Sequence, residues 1–318
     1  MKTPSSFNAR GETLGGLARV AAMGLVWGTI PLFLRAADGA SVVKVFFRVF
    51  VAALAIAGWC AARGGLRDVT RLSRAKLGQL CVQGVILTLN WVFFLTALDM
   101  TNVATAELLA YTGPVFIAVL APYLSGEPFD CRVALPLALA LGGIVAILAP
   151  QGLGVASPRE LIGAGLAFCS ALTYAALMLR SKRMLAGVSG TTLMLVEYSV
   201  ASVLLAPFAA WSFAHGQGPS TLTAYGALIG LGLIHTAMTG VVFLGALRHV
   251  RTDHAGILTY TEPASAVVFA AIFLGEALTW WTAVGGVLVI VGGVIVALLK
   301  PLGDAELVPV EVVATTEP

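Results

Sequence analysis

Runs of roughly twenty apolar residues recur along most of this 318-residue chain, and nothing else in the sequence restricts its fold so severely. At 1.5 Å of rise per residue each run makes a helix of about 30 Å, the thickness of bilayer hydrocarbon. In that medium every backbone N–H and C=O must find a partner within the protein, so spanning helices are predicted. Ten are expected, near 17–37, 42–62, 75–98, 102–124, 132–149, 161–180, 190–211, 222–247, 252–274 and 280–299. Charged residues are 11% of the chain, against about a quarter in soluble domains. The first run is followed by small residues, as a cleaved signal peptide is, but its length and its repetition downstream read as a span.

Lys and Arg bias short loops toward the cytoplasm. With the N-terminus inside, the inner segments carry Lys2, Arg10 and Arg19, then Arg63, Arg67, Arg71, Arg74 and Lys76, then Arg132, then Arg180, Lys182 and Arg183, then Arg248 and Arg251, then Lys300. The outer loops keep almost only Arg159. Both termini are therefore expected in the cytoplasm, with residues 1–16 and 300–318 as poorly ordered tails. The net charge of +3 is small and its basic residues form no stripe, which excludes a nucleic-acid partner. Cys60, Cys81, Cys131 and Cys169 lack Cys-x-x-Cys spacing and read as buried small hydrophobes, not as metal ligands or disulfides.

Setting residue n against n + 149 aligns 97–149 with 246–298 without a gap. Ala97-Leu98, Leu109, Tyr111-Thr112, Pro114, Gly126-Glu127 and Gly143 all recur. Such a match is an internal duplication. Repeats are expected over 17–149 and 161–299, joined by a linker at 150–160. Five spans per repeat is an odd number, so the second copy enters the membrane from the opposite side. Inverted repeats are the architecture of secondary transporters, whose midplane site opens alternately to each side.

Trp27-Gly28, Arg48, the Ala-Leu endings of the third and eighth spans, the Pro-centred fourth and ninth with Gly-Glu after them, and the Gly-rich fifth and tenth together resemble the EamA type of the drug/metabolite transporter superfamily. The resemblance covers about 17–299. It implies an all-α, multi-pass bundle of ten transmembrane helices in the inner (cell) membrane, exporting or exchanging amino acids, other small metabolites or drugs. No cofactor or ATP is implied, and the sequence holds no P-loop, Gly-x-Ser-x-Gly or His-Glu-x-x-His. The partners expected are a small-molecule substrate and the bilayer; a homodimer is left open.

Pro114 and Pro263 each remove one helical hydrogen bond and are expected to kink their spans at a hinge or binding site. Tyr111 and Tyr260, three residues earlier, share a face with each kink and offer a ring and a hydroxyl, or simple packing. Ionisable groups inside a span cost about 2.5–3.5 kcal/mol on insertion scales, so each needs a reason. Glu262, about 15 Å into the ninth span, is the favoured substrate or proton carrier. Arg48 and Glu107 enter from the outer side to similar depth, as an ion pair or, with Arg48 free, as a carboxylate receptor. Glu197 enters from the inside as a gate partner for Arg251 or His254, unless Asp253 takes the arginine.

His235 and Asn90, near the middle of their spans, serve as a proton or anion site or as interhelical hydrogen-bond partners. Trp27 and Tyr174 are expected as aromatic walls. Gly142-Gly143, Gly285-Gly286 and Gly292-Gly293 permit close helix approach, Glu127 and Glu276 cap or shape loops, and Trp280-Trp281 form an outer aromatic belt. A metabolite transporter is the leading function and proton-coupled multidrug efflux its rival. An intramembrane lipid enzyme would cluster polar residues at one interface, and a channel would show a charged ring or filter; the sequence has neither.

Overall fold

The computed structural model describes residues 6–275 and 278–299, with side chains from residue 11 onward except at 151. Among the described residues, ten helices are long and apolar enough to cross a membrane: α1 (Gly11–Ala36), α2 (Ser41–Arg63), α3 (Arg74–Met100), α4 (Val103–Leu124), α5 (Cys131–Leu148), α6 (Pro158–Met184), α7 (Gly190–Ala214), α8 (Leu222–Leu247), α9 (Thr252–Leu274) and α10 (Trp280–Leu298). Ser73, Asn102, Ser157, Ser189, Thr221 and Thr279 cap the starts of α3, α4, α6, α7, α8 and α10 with side-chain oxygens. Each thereby satisfies an amide that hydrocarbon could not. The segment before Leu17 is helical from Ser6 and continuous with α1, contrary to the expected loose tail. It is held because Gly16 lies against Val250 and Ala246 at the end of α8. Residues 1–5, Glu276 and the tail from 300 lie outside the described residues.

The packing follows the duplication. Three contacts set a span against its counterpart five places on, α5 with α10 and α2 with α7 extensively and α4 with α9 over a smaller area. The others come in exchanged pairs: α3 on α6 and α8 on α1, α7 on α3 and α2 on α8, α4 on α6 and α9 on α1. Individual residues obey the same exchange. Gly143 faces Gly285 across α5 and α10, and its counterpart Gly292 faces Pro136, the counterpart of Gly285. A Cβ on Gly143 would sit 2.6 Å from the Gly285 carbonyl, and one on Gly292 2.7 Å from that of Pro136. Gly142 and Gly286 meet nothing within 4 Å, so only part of the glycine pattern serves close approach.

Three spans are interrupted at mid-depth. α4 breaks at Tyr111-Thr112, α9 at Thr259-Tyr260 and α1 at Gly28-Thr29. Pro114 and Pro263 supply the first two breaks, since neither can donate to the preceding turn. Threonine hydroxyls then turn inward onto the backbone: Thr112 Oγ1 donates to Leu109 O at 2.6 Å and Thr261 Oγ1 to Leu258 O at 2.7 Å. The threonine of the repeated Tyr-Thr-x-Pro phrase thus satisfies a carbonyl of the turn before each break. α8 carries a π-helical turn, Leu233–Met238, around His235.

Other expectations meet differences. Cys131 is exposed at the start of α5, where the chain leaves the expected inner surface, so it is not a buried hydrophobe. Arg35 and Lys44 join Arg159 at the end expected outside, leaving the loop bias weaker than the loops alone imply; Lys44 lies over the end of α1, donating to Leu34 O. Trp280 and Trp281 are exposed at the start of α10, as a belt requires.

Candidate functional site

The breaks place the ionisable side chains. Arg48 on α2, Glu107 and Tyr111 on α4, Tyr174 on α6 and Glu262 on α9 are all half-buried, and they converge. Glu262 lies within electrostatic reach of both Arg48 and Glu107, and Tyr111 within reach of Glu262, Glu107, Tyr174 and Tyr260. Groups from four helices can act on one another this way only if they face the bundle interior rather than lipid.

Arg48 is anchored from one side. Its Nε donates to Thr236 Oγ1 at 2.8 Å and an Nη to His235 O at 3.3 Å, while the guanidinium lies 5.0 Å from the Trp91 ring centre. The π-helical turn of α8 presents that carbonyl and hydroxyl. Tyr198 on α7 is also within reach of the charge. The expected Arg48–Glu107 ion pair is absent. α8 takes the arginine instead, and Glu262 is the carboxylate in its field. Neither Glu107 nor Glu262 has a salt bridge or side-chain hydrogen bond among the described residues. Glu197 is also without a partner there and is 7% exposed.

The aromatic residues divide. Tyr260 is fully buried, its hydroxyl donating to Tyr111 O at 2.5 Å, with the two rings 6.2 Å apart. That hydroxyl is spent on joining the halves at corresponding residues, so the expected ligand contact from it is corrected. Tyr111 and Tyr174 are half-buried. Tyr174 reaches Thr259 Oγ1 at 3.4 Å, and a Cβ on Gly113 would lie 2.7 Å from its ring. Trp27 is half-buried against Phe243, its Nε1 donating to His235 O at 3.1 Å and Thr239 Oγ1 at 3.0 Å.

His235 is buried, with Nε2 2.7 Å from Thr29 Oγ1 and its ring edge-on to Phe33. Its Nδ1 closes no hydrogen bond of good geometry. Asn90 is committed to helix packing: its amide donates to Ser170 O at 2.7 Å, Ser170 Oγ at 3.1 Å and Thr173 Oγ1 at 3.1 Å. Pro114 and Pro263 are buried at the breaks, and Gly256 packs on Pro114 and Ile117.

The expected inner gate between Glu197 and Arg251 is corrected too. Arg251 pairs with Asp253 at 2.6 Å and donates to Pro128 O at 2.9 Å, so it has nothing left for α7. A different junction closes this end. Lys182 at the end of α6 donates to Leu247 O and Val250 O, each at 2.7 Å, and stands 3.8 Å from Glu127. Glu127 in turn accepts the Thr252 amide at 2.9 Å, capping α9 with a negative charge. Burial pushes the Glu127 carboxyl above its ordinary range, opposed by the Thr252 amide and by Lys182. A loop role for Glu127 is legible in the sequence, but no signal marks Lys182, because its hydrogen-bond partners are backbone carbonyls brought together by folding. Thr236, Trp91 and Tyr198 around Arg48 were missed for the same reason.

Two cavities lie away from this cluster. One of ≈ 490 Å³ sits between the starts of α3 and α7, with Arg71 and Lys76 in its wall. The other, ≈ 790 Å³, opens between α2, α3 and α7 near Asp99 and Trp211.

The model of the EamA-like transporter family matches residues 14–149 and again 161–298. The chain belongs to this family. A protein of Archaeoglobus fulgidus described as an uncharacterized transporter is 30% identical over 277 residues, covering 87% of this chain and 94% of its own. The transporter YxxF of Bacillus subtilis, also described as uncharacterized, is 24% identical with 96% of both chains covered. RarD of Escherichia coli is 26% identical over 83% of this chain and 88% of its own. A solved crystal structure at 21% identity superposes with a TM-score of 0.76 over 89% of this chain and 97% of its own, a likeness of fold. The chain is a multi-pass membrane transporter of the EamA type, not an enzyme.

Proposed function

We propose that this transporter moves a small amine-bearing metabolite, amino acids and their derivatives being the leading class, by alternating access across the cell membrane. Its two halves are read as inverted repeats over 17–149 and 161–299, both termini being cytoplasmic. The observation that carries the reading is the convergence of Arg48, Glu107 and Glu262, with Tyr111 and Tyr174, at the mid-depth breaks of α4 and α9. Broken helices around a polar centre are where transporters place their substrate. Two carboxylates without protein partners suit an ammonium group, and the tyrosine faces suit its organic part. Glu127 of the first half accepts the Thr252 amide and stands 3.8 Å from Lys182, both of the second half, at the end read as cytoplasmic, which supports a state closed on that side. Parting them would open it.

Proton-coupled efflux of cationic drugs is the second reading, favoured by the same unpaired carboxylates beside aromatic walls. Uptake into liposomes of a panel of amino acids and cationic drugs, with and without a proton gradient, tests both. Saturable amino-acid flux lost in Glu262→Gln supports the first reading, gradient-driven drug flux alone the second. Flux unchanged in that variant places the site elsewhere.

A further inference from the structure

We propose that the cavity between the starts of α3 and α7 is a receptor for a phosphate group, carried by an anionic phospholipid or by a soluble phosphate ester, whose occupant bridges the two halves. The site lies apart from the mid-depth cluster and is independent of what the transporter moves.

The cavity has a volume of ≈ 490 Å³, within the range of about 300–1,000 Å³ in which small-molecule sites fall. Its wall comes from both repeats: Asp68, Arg71 and Lys76 from the first, the Gly187-Val188 loop, Ser189 and Thr192 from the second. The donors in that wall are only partly spent. The Arg71 side chain makes no ion pair or hydrogen bond among the described residues, so its fork of N–H groups is available. Lys76 Nζ donates to Gly187 O at 3.3 Å, which keeps the ammonium at the wall and leaves two of its donors over. A Cβ on Gly187 would lie 3.0 Å from the same Nζ, so the ammonium closes on the loop because a glycine is there. Thr192 is 1% exposed; its Oγ1 accepts from Ser189 Oγ at 2.8 Å, and its own hydroxyl hydrogen has no acceptor among the described residues. A buried donor facing a cavity calls for an acceptor inside it.

The charge around the cavity selects an anion. Asp68 is the one carboxylate in the wall. Against it stand Arg71 and Lys76, with Arg63, Arg67 and Arg74 on the same loop and Arg248 behind the wall, donating to Val188 O at 2.9 Å. A guanidinium fork, an ammonium and a hydroxyl reaching in from different elements suit an anion with several oxygens pointing apart, which a phosphate has and a planar carboxylate lacks. The depth is that of lipid headgroups, since α2 ends at Arg63 and α3 begins at Arg74. Trp59, 54% exposed with the Arg63 guanidinium 4.6 Å from its ring centre, and the exposed Leu66 and Leu77 offer apolar surface alongside. Basic pockets between spans at that depth take anionic headgroups. The general bias of loops toward Lys and Arg explains how many cations this loop carries. It does not explain two of them lining a recess completed by a buried hydroxyl of the other half. An occupant touching both halves favours the arrangement that forms its site.

Native mass spectrometry of the full chain, delipidated in a neutral detergent, tests this by titration with phosphatidylglycerol, with phosphatidylcholine of the same acyl chains, and with glycerol 3-phosphate. Saturable binding of phosphatidylglycerol alone, well above phosphatidylcholine, assigns the site to a lipid; saturable binding of glycerol 3-phosphate assigns it to a soluble ester. The double variant Arg71→Gln/Lys76→Gln should weaken whichever binds more than tenfold. Arg67→Gln/Arg74→Gln removes the same charge from the same loop outside the cavity wall and should weaken it less than threefold. Thr192→Val, which leaves every charge in place, should weaken it at least threefold. Neither phosphatidylglycerol nor glycerol 3-phosphate binding above phosphatidylcholine would overturn the proposal. Equal losses in the two double variants would overturn it too, because a diffuse basic surface and not the cavity would then hold the anion. Binding indifferent to Thr192→Val would refute the bridge between the halves.

Discussion

Replacing Lys182 by Met keeps most of the side-chain length and removes the ammonium that closes one end of the bundle. In the folded protein Nζ donates to two carbonyls at 2.7 Å and a third, Arg248 O, at 3.3 Å, at the C-terminal end of α8 where a cation also opposes the helix dipole. A hydrogen bond to a charged group is worth about 1.5–3 kcal/mol. The side chain is 20% exposed, so water reaches the junction and re-solvates part of what is lost. Counting the two short bonds at the low end and discounting the longer one gives a loss of about 2–4 kcal/mol. SDS titration in mixed micelles, followed by tryptophan fluorescence, measures it. Arg183→Met, on an exposed neighbour without such bonds among the described residues, is the control. If Lys182→Met falls within about 0.5 kcal/mol of that control, Lys182 does not brace α6 against the end of α8 and the reasoning fails.

Gly285→Ala would drive a methyl into the Gly143 carbonyl and to 2.6 Å from Ile147 Cγ1, so the same titration should show a loss of about 1–3 kcal/mol, while Gly286→Ala, facing open space, changes little. Tyr260→Phe leaves the Tyr111 carbonyl without its donor and should cost about 1 kcal/mol. Asp38 in the α1–α2 loop accepts from the Ser220 hydroxyl and from its amide at 2.9 Å, and these bonds hold its carboxyl below the ordinary 3.8. A depressed acid stabilises the fold above its unfolded pKa, and that contribution is lost as pH falls through the folded value. Chemical exchange rates compared at pH 6 and pH 3 should show Ser220 amide protection falling at the lower pH, and no fall in Asp38→Asn.

The spans were legible because hydrocarbon leaves the backbone one solution, and the pattern of about twenty apolar residues reports it directly. The repeat was legible for a related reason. Tyr-Thr-x-Pro encodes a break and a hydroxyl bonded to the turn before it within four residues, a local device that keeps its wording in both copies. The site was legible only in part. Depth along a helix located Glu262, Glu107 and Arg48, but partnership depends on rotation and on neighbours that sequence does not show. Arg48 was therefore matched to Glu107 by depth, whereas the π-helical turn of α8 captures it. Asp253 lay close enough in sequence to compete for Arg251, and that competition was visible beforehand. That glycine stands at 113, the counterpart of Glu262, also needs the fold to explain it: the Tyr174 ring fills the space beside Gly113 that a larger side chain would need.

The central claim is that the breaks of α4 and α9 line a translocation site open in turn to each side. Its most direct measurement is thiol accessibility of Thr112→Cys, in a background lacking the four native cysteines, from each side of sealed liposomes with a membrane-impermeant maleimide. The account predicts labelling from both sides, with the balance shifted by a transported substrate. Labelling from one side alone under every condition, while flux continues, would contradict it.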